Sequence, residues 1–536
     1  MQPADRREDS TRPSPSQLVS WLRAPAFAPN VFRLRRAQGF FGRLTLAVPV
    51  LLGLIALALL LIRTTETYIS NNGIGDDGIY YASILRAYDG NVRHIPSLGL
   101  NAYMAQRCLN PILVRIGMNL FHMPTDDRSI IAAYKVANAT SIVIAMACFT
   151  ASLRHLRLSR AGFLVGMTFA TVNFMVLYWL PFDPVVVDAM TLAVGSVQIW
   201  AYLSRRYLVL AVASAIGGFI WPSAAQVGAA MLFFPRSPED AEPATAPSDR
   251  DGPGAIDLAI AAIASGVVTW YASTLADYAP PYGQLPAAKT LFRLSCVLWC
   301  FLTFFGLKEL VRVVPSLRQF IRRDFDAIAG KVLAVMLLFG MSRAIHWIST
   351  QPTNRLPQNP VFAVSDVIKG SVFFAVQRPL IPLFAHVGYL GAAILVFVWC
   401  WRRTCNEARR LGFGINAALG MAFFLLFNSQ SRAGTDLFPI VVPLATLAAA
   451  RLPWTPRRLL ELGALSVIAS KLWYSIVQKP RMDIASIMDH IGPWMSNDAY
   501  VAHGVLFVGA SIWLLWMSRQ KAAPHEVVRL TEDQPT

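Results

Sequence analysis

The sequence predicts an all-α, polytopic transmembrane helix bundle with about 12–14 membrane segments. Three observations predict it. Apolar residues fill 55% of the 536 positions and charged residues only 15%, against about 25% charged in ordinary soluble domains. Apolar runs of roughly 18–22 residues recur, each long enough to cross a hydrocarbon core. The 48 Lys and Arg, which set a formal charge of +17, cluster in alternate short connections, as orienting a membrane protein requires. The basic balance therefore points to the lipid bilayer as partner and away from nucleic acid. The six cysteines, Cys108, Cys148, Cys296, Cys300, Cys400 and Cys405, sit mostly in or beside apolar runs. None has metal-ligand spacing in a polar loop, and Cys296 and Cys300, one helical turn apart, read as packing residues.

In chain order, residues 1–43 read as a basic, largely disordered cytoplasmic segment with no cleaved signal. The first span covers about 44–62 and follows Arg33, Arg35, Arg36 and Arg43, so its start is expected in the cytoplasm. The first external loop, 63–128, is long enough to carry structure or function. Two short juxtamembrane helices are expected in it. One runs from Gly78 to about Tyr88. The other has Asn110 as cap and Pro111 at its first position, with Leu109, Ile112, Leu113, Ile116 and Leu120 on one apolar face. Asp126 and Asp127 read as helix-start residues.

Spans at about 129–153, 161–180 and 185–203 follow, with Arg154, Arg157 and Arg160, then Arg205 and Arg206, marking cytoplasmic turns. Residues 207–234 fit a hairpin broken at Trp221-Pro222-Ser223. One long helix there would place every later arginine-rich connection outside. The N-terminal membrane module is thus 44–234. A Pro/Ala/Asp/Glu-rich cytoplasmic linker, 235–254, separates it from a C-terminal module, 255–518. Spans there are expected at about 256–275, 290–311, 328–349, 380–401, 411–428, 437–450, 459–477 and 500–518, before a cytoplasmic tail at 519–536. The expected location is the bacterial inner (plasma) membrane, with multiple passes and both termini in the cytoplasm.

The chemistry is expected where polar residues gather on the external side. Gly75-Asp76-Asp77-Gly78-Ile79-Tyr80-Tyr81 offers paired carboxylates on a glycine-flanked turn, though the same composition suits a plain turn. Asp183 lies in Pro181-Phe182-Asp183-Pro184, and Asp188 is one turn into the next span. A charge in hydrocarbon costs about 2.5–3.5 kcal/mol on insertion scales, so Asp188, Arg343 and His386 should face a cavity rather than lipid. Arg107, Arg115, Arg343, His346, Arg378 and Arg432 are the candidate substrate-binding residues, arginines being suited to phosphate. Against this, Arg378 and Arg432 near span ends also suit interface anchors. A carboxylate such as Asp76 or Asp77 can accept a proton or bind a divalent metal, Mg or Mn, that screens a leaving phosphate.

These residues, with the Gln106-Arg107-Cys108-Leu109-Asn110-Pro111 stretch, carry a resemblance. Over about residues 40–235 the pattern resembles the C-type superfamily of polytopic membrane glycosyltransferases, which use polyprenyl-phosphate sugars. The resemblance implies that a first-loop acid acts as general base or metal-linked group, a role falling to Asp76 or Asp77, and that a second external acid, Asp183, assists. It implies transfer of a hexosyl or pentosyl group from a polyprenyl-phosphate-linked sugar to a cell-envelope glycan or lipid acceptor. Unlike that pattern, the chain shows no sizeable soluble domain at its carboxyl end. Two other functions fit the composition: a transporter or flippase of a lipid-linked or anionic solute, suggested by the break at Trp221-Pro222, and a membrane glycan polymerase relying on external arginines.

Overall fold

A computed structural model describes residues 70–75, 77–88, 106–236, 255–274, 288–314, 325–349, 375–376, 378–425, 431–469, 495 and 497–519. The expectations for residues 1–43, the first span, Asp76 and the body of the linker at 237–254 fall outside them. Among the described residues the fold is all-α, without a strand.

The first loop carries both expected helices, α1 at Gly78–Ala87 and α2 at Leu109–Leu120. Its two turn glycines have separate reasons. Gly75 takes φ +81°, open to a residue without Cβ. Gly78 lies so close to the chain at Val185 that an added Cβ would stand 3.2 Å from the Val185 carbonyl oxygen. The start of α2 corrects one expectation. Cys108, not Asn110, precedes the helix. Asn110 is buried in the first turn, and its Nδ2 donates to the Val186 carbonyl at 3.2 Å. The apolar residues expected to press onto the membrane or the bundle divide: Pro111, Ile112, Val114 and Met118, with Asn110, face the protein, while Leu113, Ile116 and Leu120 are exposed. Ahead of the helix, Leu109 N–H donates to the Phe219 carbonyl at 3.3 Å.

Helix α3, Asp127–His155, begins as expected. Asp126 caps it, accepting from the Ser129 N–H at 3.0 Å. That bond holds the Asp126 carboxyl below its ordinary range. Asp127 pairs with Arg86 of α1. Helix α4, Arg160–Thr171, starts on a Ser159 cap and breaks at Asn173, whose side chain takes up backbone groups on both sides. The chain resumes through 175–182, bent by 46°. Helix α5 spans Asp188–Leu203, and α6, Tyr207–Gly218, with α7, Pro222–Phe233, forms the hairpin broken before Pro222.

In the second half come α8 (Ala255–Thr274), α9 (Ala288–Arg312) and α10 (Phe325–Ser349). The span expected at 380–401 is divided at Gly391, giving α11 (Ile381–Leu390) and α12 (Ala392–Trp399). Gly391 takes φ +79°, and an added Cβ there would lie 3.1 Å from Asn173, so two broken helices meet at their breaks. Next are α13 (Trp401–Leu411), α14 (Phe413–Leu425), α15 (Phe438–Ala449), α16 (Pro456–Ala469) and α17 (Asn497–Arg519).

Among the described residues, five helices, α3, α8, α9, α10 and α17, are long and apolar enough to cross a membrane, and six segments qualify if the bent pair counts as one. Large apolar side chains on their outer faces are bare of protein, with Ile256 76% and Trp270 71% exposed on α8. That is the surface of a helix that meets lipid rather than water. Helix α15 is buried along nearly its whole length and packs against α4, α5 and α12.

Candidate functional site

The site begins with a guanidinium held between two helix starts. Asp188 occupies the first turn of α5 and is fully buried. Asp77 occupies the position before α1, its side chain 35% exposed. Both carboxylates therefore sit where the positive end of a helix dipole favours them. Arg432 joins them from the short 3₁₀ turn Ser431–Gly434 ahead of α15. Its Nε donates to both Asp188 oxygens, at 3.1 and 2.9 Å, and its Nη1 donates to Asp77 Oδ2 at 2.7 Å. The buried Nη2 has no hydrogen-bond partner.

The connection into α5 is built to hold this geometry. Asn138 of α3 donates to the Pro184 carbonyl at 2.9 Å, and Asn110 of α2 to the Val186 carbonyl. Buried backbone acceptors need such partners. Asp183, buried in the same connection, adds negative field around Arg432. On the other side, His386 Nδ1 lies 3.0 Å from the Ser431 hydroxyl, and Thr435 Oγ1 donates to the Arg432 carbonyl at 2.8 Å. Both contacts fix the turn that presents Arg432.

A second positive group stands beside the first. Arg107 is buried, its guanidinium 3.9 Å from the Trp221 ring centroid and its Nη1 3.3 Å from the Tyr81 hydroxyl. Burial raises the Tyr81 phenol above its usual range, with Arg107 opposing. The stretch carrying Arg107 is stitched to the break between α6 and α7: Gln106 Nε2 donates to the Gly218 carbonyl at 3.2 Å, one residue before the Leu109–Phe219 bond. Two residues past Trp221, Ser223 donates its hydroxyl to Asp436 Oδ2 at 2.5 Å. Asp436 is 1% exposed, in the connection just before α15. Burial pushes its carboxyl up to about 6, with the Ser223 hydrogen bond pulling the other way. Arg107 is near enough to act electrostatically on both Asp188 and Asp436. One polar centre thus draws on the first loop, α5, the hairpin break and the turn before α15.

Of the residues expected at a site, the structure brings together Asp77, Asp183, Arg107 and Arg432. Arg378 turns elsewhere: it donates to the Met495 carbonyl and its guanidinium lies 5.5 Å from the Tyr500 ring centroid, tying the chain before α11 to the segment leading into α17. Arg343 is exposed on α10, its guanidinium 5.9 Å from the Phe339 ring centroid. Arg115 is half-buried on α2. The His346 side chain and Asp76 lie outside the described residues. Tyr81 and Ser223 are members that the sequence did not single out as site residues, and Asp436 stood only among the polar residues expected on the external side. A weak signal existed for Ser223, since it adjoins the hairpin break. Among the described residues no three His, Cys, Asp or Glu side chains come together as a metal would require. Asp77, the described member of the pair expected to hold a divalent ion, faces the Arg432 guanidinium.

No family model matches the chain, and no curated protein matches it. Two solved structures are similar. One is the archaeal oligosaccharyltransferase AglB from Archaeoglobus fulgidus in complex with an inhibitory peptide and a dolichol-phosphate, at 12% identity and TM-score 0.38, covering 88% of this chain and 56% of that one. The other is the Archaeoglobus fulgidus oligosaccharyltransferase in the apo form, at 11% identity and TM-score 0.38, covering 90% and 57%. The chain spans little more than half the length of either. At that overlap the likeness assigns neither family nor activity.

Proposed function

We propose that the protein is an integral membrane glycosyltransferase that takes a sugar from a polyprenyl-phosphate carrier and passes it to a cell-envelope acceptor. The supporting observation is the asymmetry around Arg432. One edge of its guanidinium is locked to the fully buried Asp188, while the other meets the accessible Asp77 and a further N–H has no partner. A lipid-linked phosphate that displaces Asp77 meets Nη1 and, behind it, the buried and unused Nη2, and charge-assisted bonds of this kind are strong. Asp188 holds the arginine in place meanwhile. Displaced from Arg432, the Asp77 carboxylate stands beside the sugar, where it stabilises positive charge developing at the anomeric carbon. Asp183 strengthens the field that keeps Arg432 charged.

The hairpin break, which suggested a transporter, is already satisfied. The Gly218 and Phe219 carbonyls accept from Gln106 and Leu109, so they are not held open for an ion. The break anchors Arg107 instead.

The test is transfer of radiolabelled sugar from a panel of polyprenyl-phosphate hexoses and pentoses to membranes of a deletion strain. Arg432→Gln and Asp77→Asn should each lower the rate by about 10²-fold or more, the usual loss when a preorganised electrostatic group is removed. Donor affinity should weaken for Arg432→Gln and hold or tighten for Asp77→Asn. Undiminished transfer by Arg432→Gln would sink the proposal.

A further inference from the structure

The geometry points to Ser223 and Asp436 as a proton relay that activates the acceptor hydroxyl. This rests on the transfer reading above, and it moves the acceptor proton away from Asp77.

The physical case is a comparison of carboxylates. Asp77 and Asp188 both accept from Arg432. Asp436 touches no arginine among its hydrogen-bond partners. One oxygen accepts from Ser223, and the backbone N–H groups of Asp436 and Leu437 also act on the carboxyl. The Asp436 carboxyl, raised to about 6 by burial, is matched to a task near neutral pH. The charged and titratable groups around it are Arg107 across the hairpin break, and Arg432 in its own connection, which is paired to Asp188 and Asp77. Ser223 is half-buried, so its hydroxyl is more accessible than the acid behind it.

In the step, the acceptor oxygen forms a bond to the anomeric carbon as the bond from that carbon to the phosphate oxygen breaks. The electron pair of the broken bond stays on the phosphate, held by Arg432. The acceptor proton passes to Ser223 Oγ while Ser223 gives its own proton to Asp436 Oδ2. Asp436 afterwards loses that proton to solvent by the same route. Ser223 touches the substrate; Asp436 acts through it.

Two measurements on the full-length protein test this. The first is the transfer assay across pH 5–8. Wild type should lose rate as pH falls through about 6, because protonated Asp436 cannot accept. Asp436→Asn and Ser223→Ala should lower kcat about 10²-fold or more with KM for the donor unchanged. Ser223→Thr should recover most of the rate, and Asp436→Glu should keep activity with its acid limb moved. A kcat near wild type in Asp436→Asn, or an acid limb unmoved in Asp436→Glu, overturns the relay and leaves the transferase reading standing. No transfer by wild type from any donor overturns both. The second measurement does not depend on turnover: modification by dicyclohexylcarbodiimide, read by peptide mass spectrometry. Labelling of Asp436 should fall as pH rises through about 6, with the midpoint higher in Ser223→Ala. Labelling that ignores pH, or ignores Ser223, overturns the dyad.

Discussion

At the scale of single residues, Arg432 matters because its two partners are unequal. Asp188 has no exposure, and Asp77 keeps about a third of its side chain in reach of solvent. Removing one member of a buried ion pair strands the other, at a cost of about 3–5 kcal/mol. Arg432→Ala should therefore lower the thermal unfolding midpoint in detergent strongly, and Asp77→Asn only slightly, since water can screen what it leaves. Adding Asp188→Asn to Arg432→Ala should cost less than the sum of the two. Equal midpoints for Arg432→Ala and Asp77→Asn would mean the burial asymmetry has no energetic content. The sequence marked Asp77, Asp188 and Arg432 as polar residues in greasy surroundings, a signal any membrane chain displays. It could not pair them. They are 355 and 244 positions apart, and only tertiary packing decides which acid meets which base. Arg378 is likewise bonded far along the chain, to the Met495 carbonyl 117 positions away.

At the scale of elements, the hairpin of α6 and α7 sets where Trp221 and Ser223 stand. Its seam is closed by small residues and one amide. Gln198 of α5 donates to Ser214 Oγ at 3.0 Å and to the Ala224 carbonyl at 2.8 Å. A Cβ at Gly228 would fall 1.8 Å from Ser214 Oγ, and Ser214 is itself bonded to the Leu210 carbonyl. Gly228→Ala must push the two helices apart, at about 1–3 kcal/mol for overpacking, and carry Ser223 away from Asp436. Gly117 on α2 has nothing within 4 Å of its added Cβ. There Gly117→Ala should be neutral or stabilise by about 0.5–1 kcal/mol. A thermal midpoint lowered by Gly228→Ala and held or raised by Gly117→Ala is the expected pair; the reverse order would refute the close approach. The hairpin itself was legible in the sequence, because charge parity and a proline both demanded it. The facing of α2 was left open, because an apolar stripe at helical spacing suits membrane and bundle alike. A backbone bond to Phe219, which has no side-chain signature, ties its start to the hairpin break.

At the scale of the whole molecule, α15 is the axis. The Arg432 and Asp436 centre lies at its start. Beyond its other end, Glu407 of α13, buried, binds Arg451 and Arg410 at 2.8 Å each. Twelve helical residues rise about 18 Å, well short of a hydrocarbon core of about 30 Å. If the arginine-rich end marks the cytoplasmic surface, the acidic centre sits within the depth of the membrane, recessed from the opposite face. A lipid-borne phosphate could reach such a centre from within the membrane. The direction can be read with a membrane-impermeant maleimide on Arg457→Cys, beside the arginine-rich end, and Phe121→Cys, just past α2 on the first loop. Both positions are exposed, whereas Cys108, Cys296 and Cys405 are buried and should stay silent. By the bias of basic residues toward the cytoplasm, Phe121→Cys should label in right-side-out vesicles and Arg457→Cys in inverted ones. Labelling of both from one side would remove the recess, because the two ends of α15 would then not face opposite solutions.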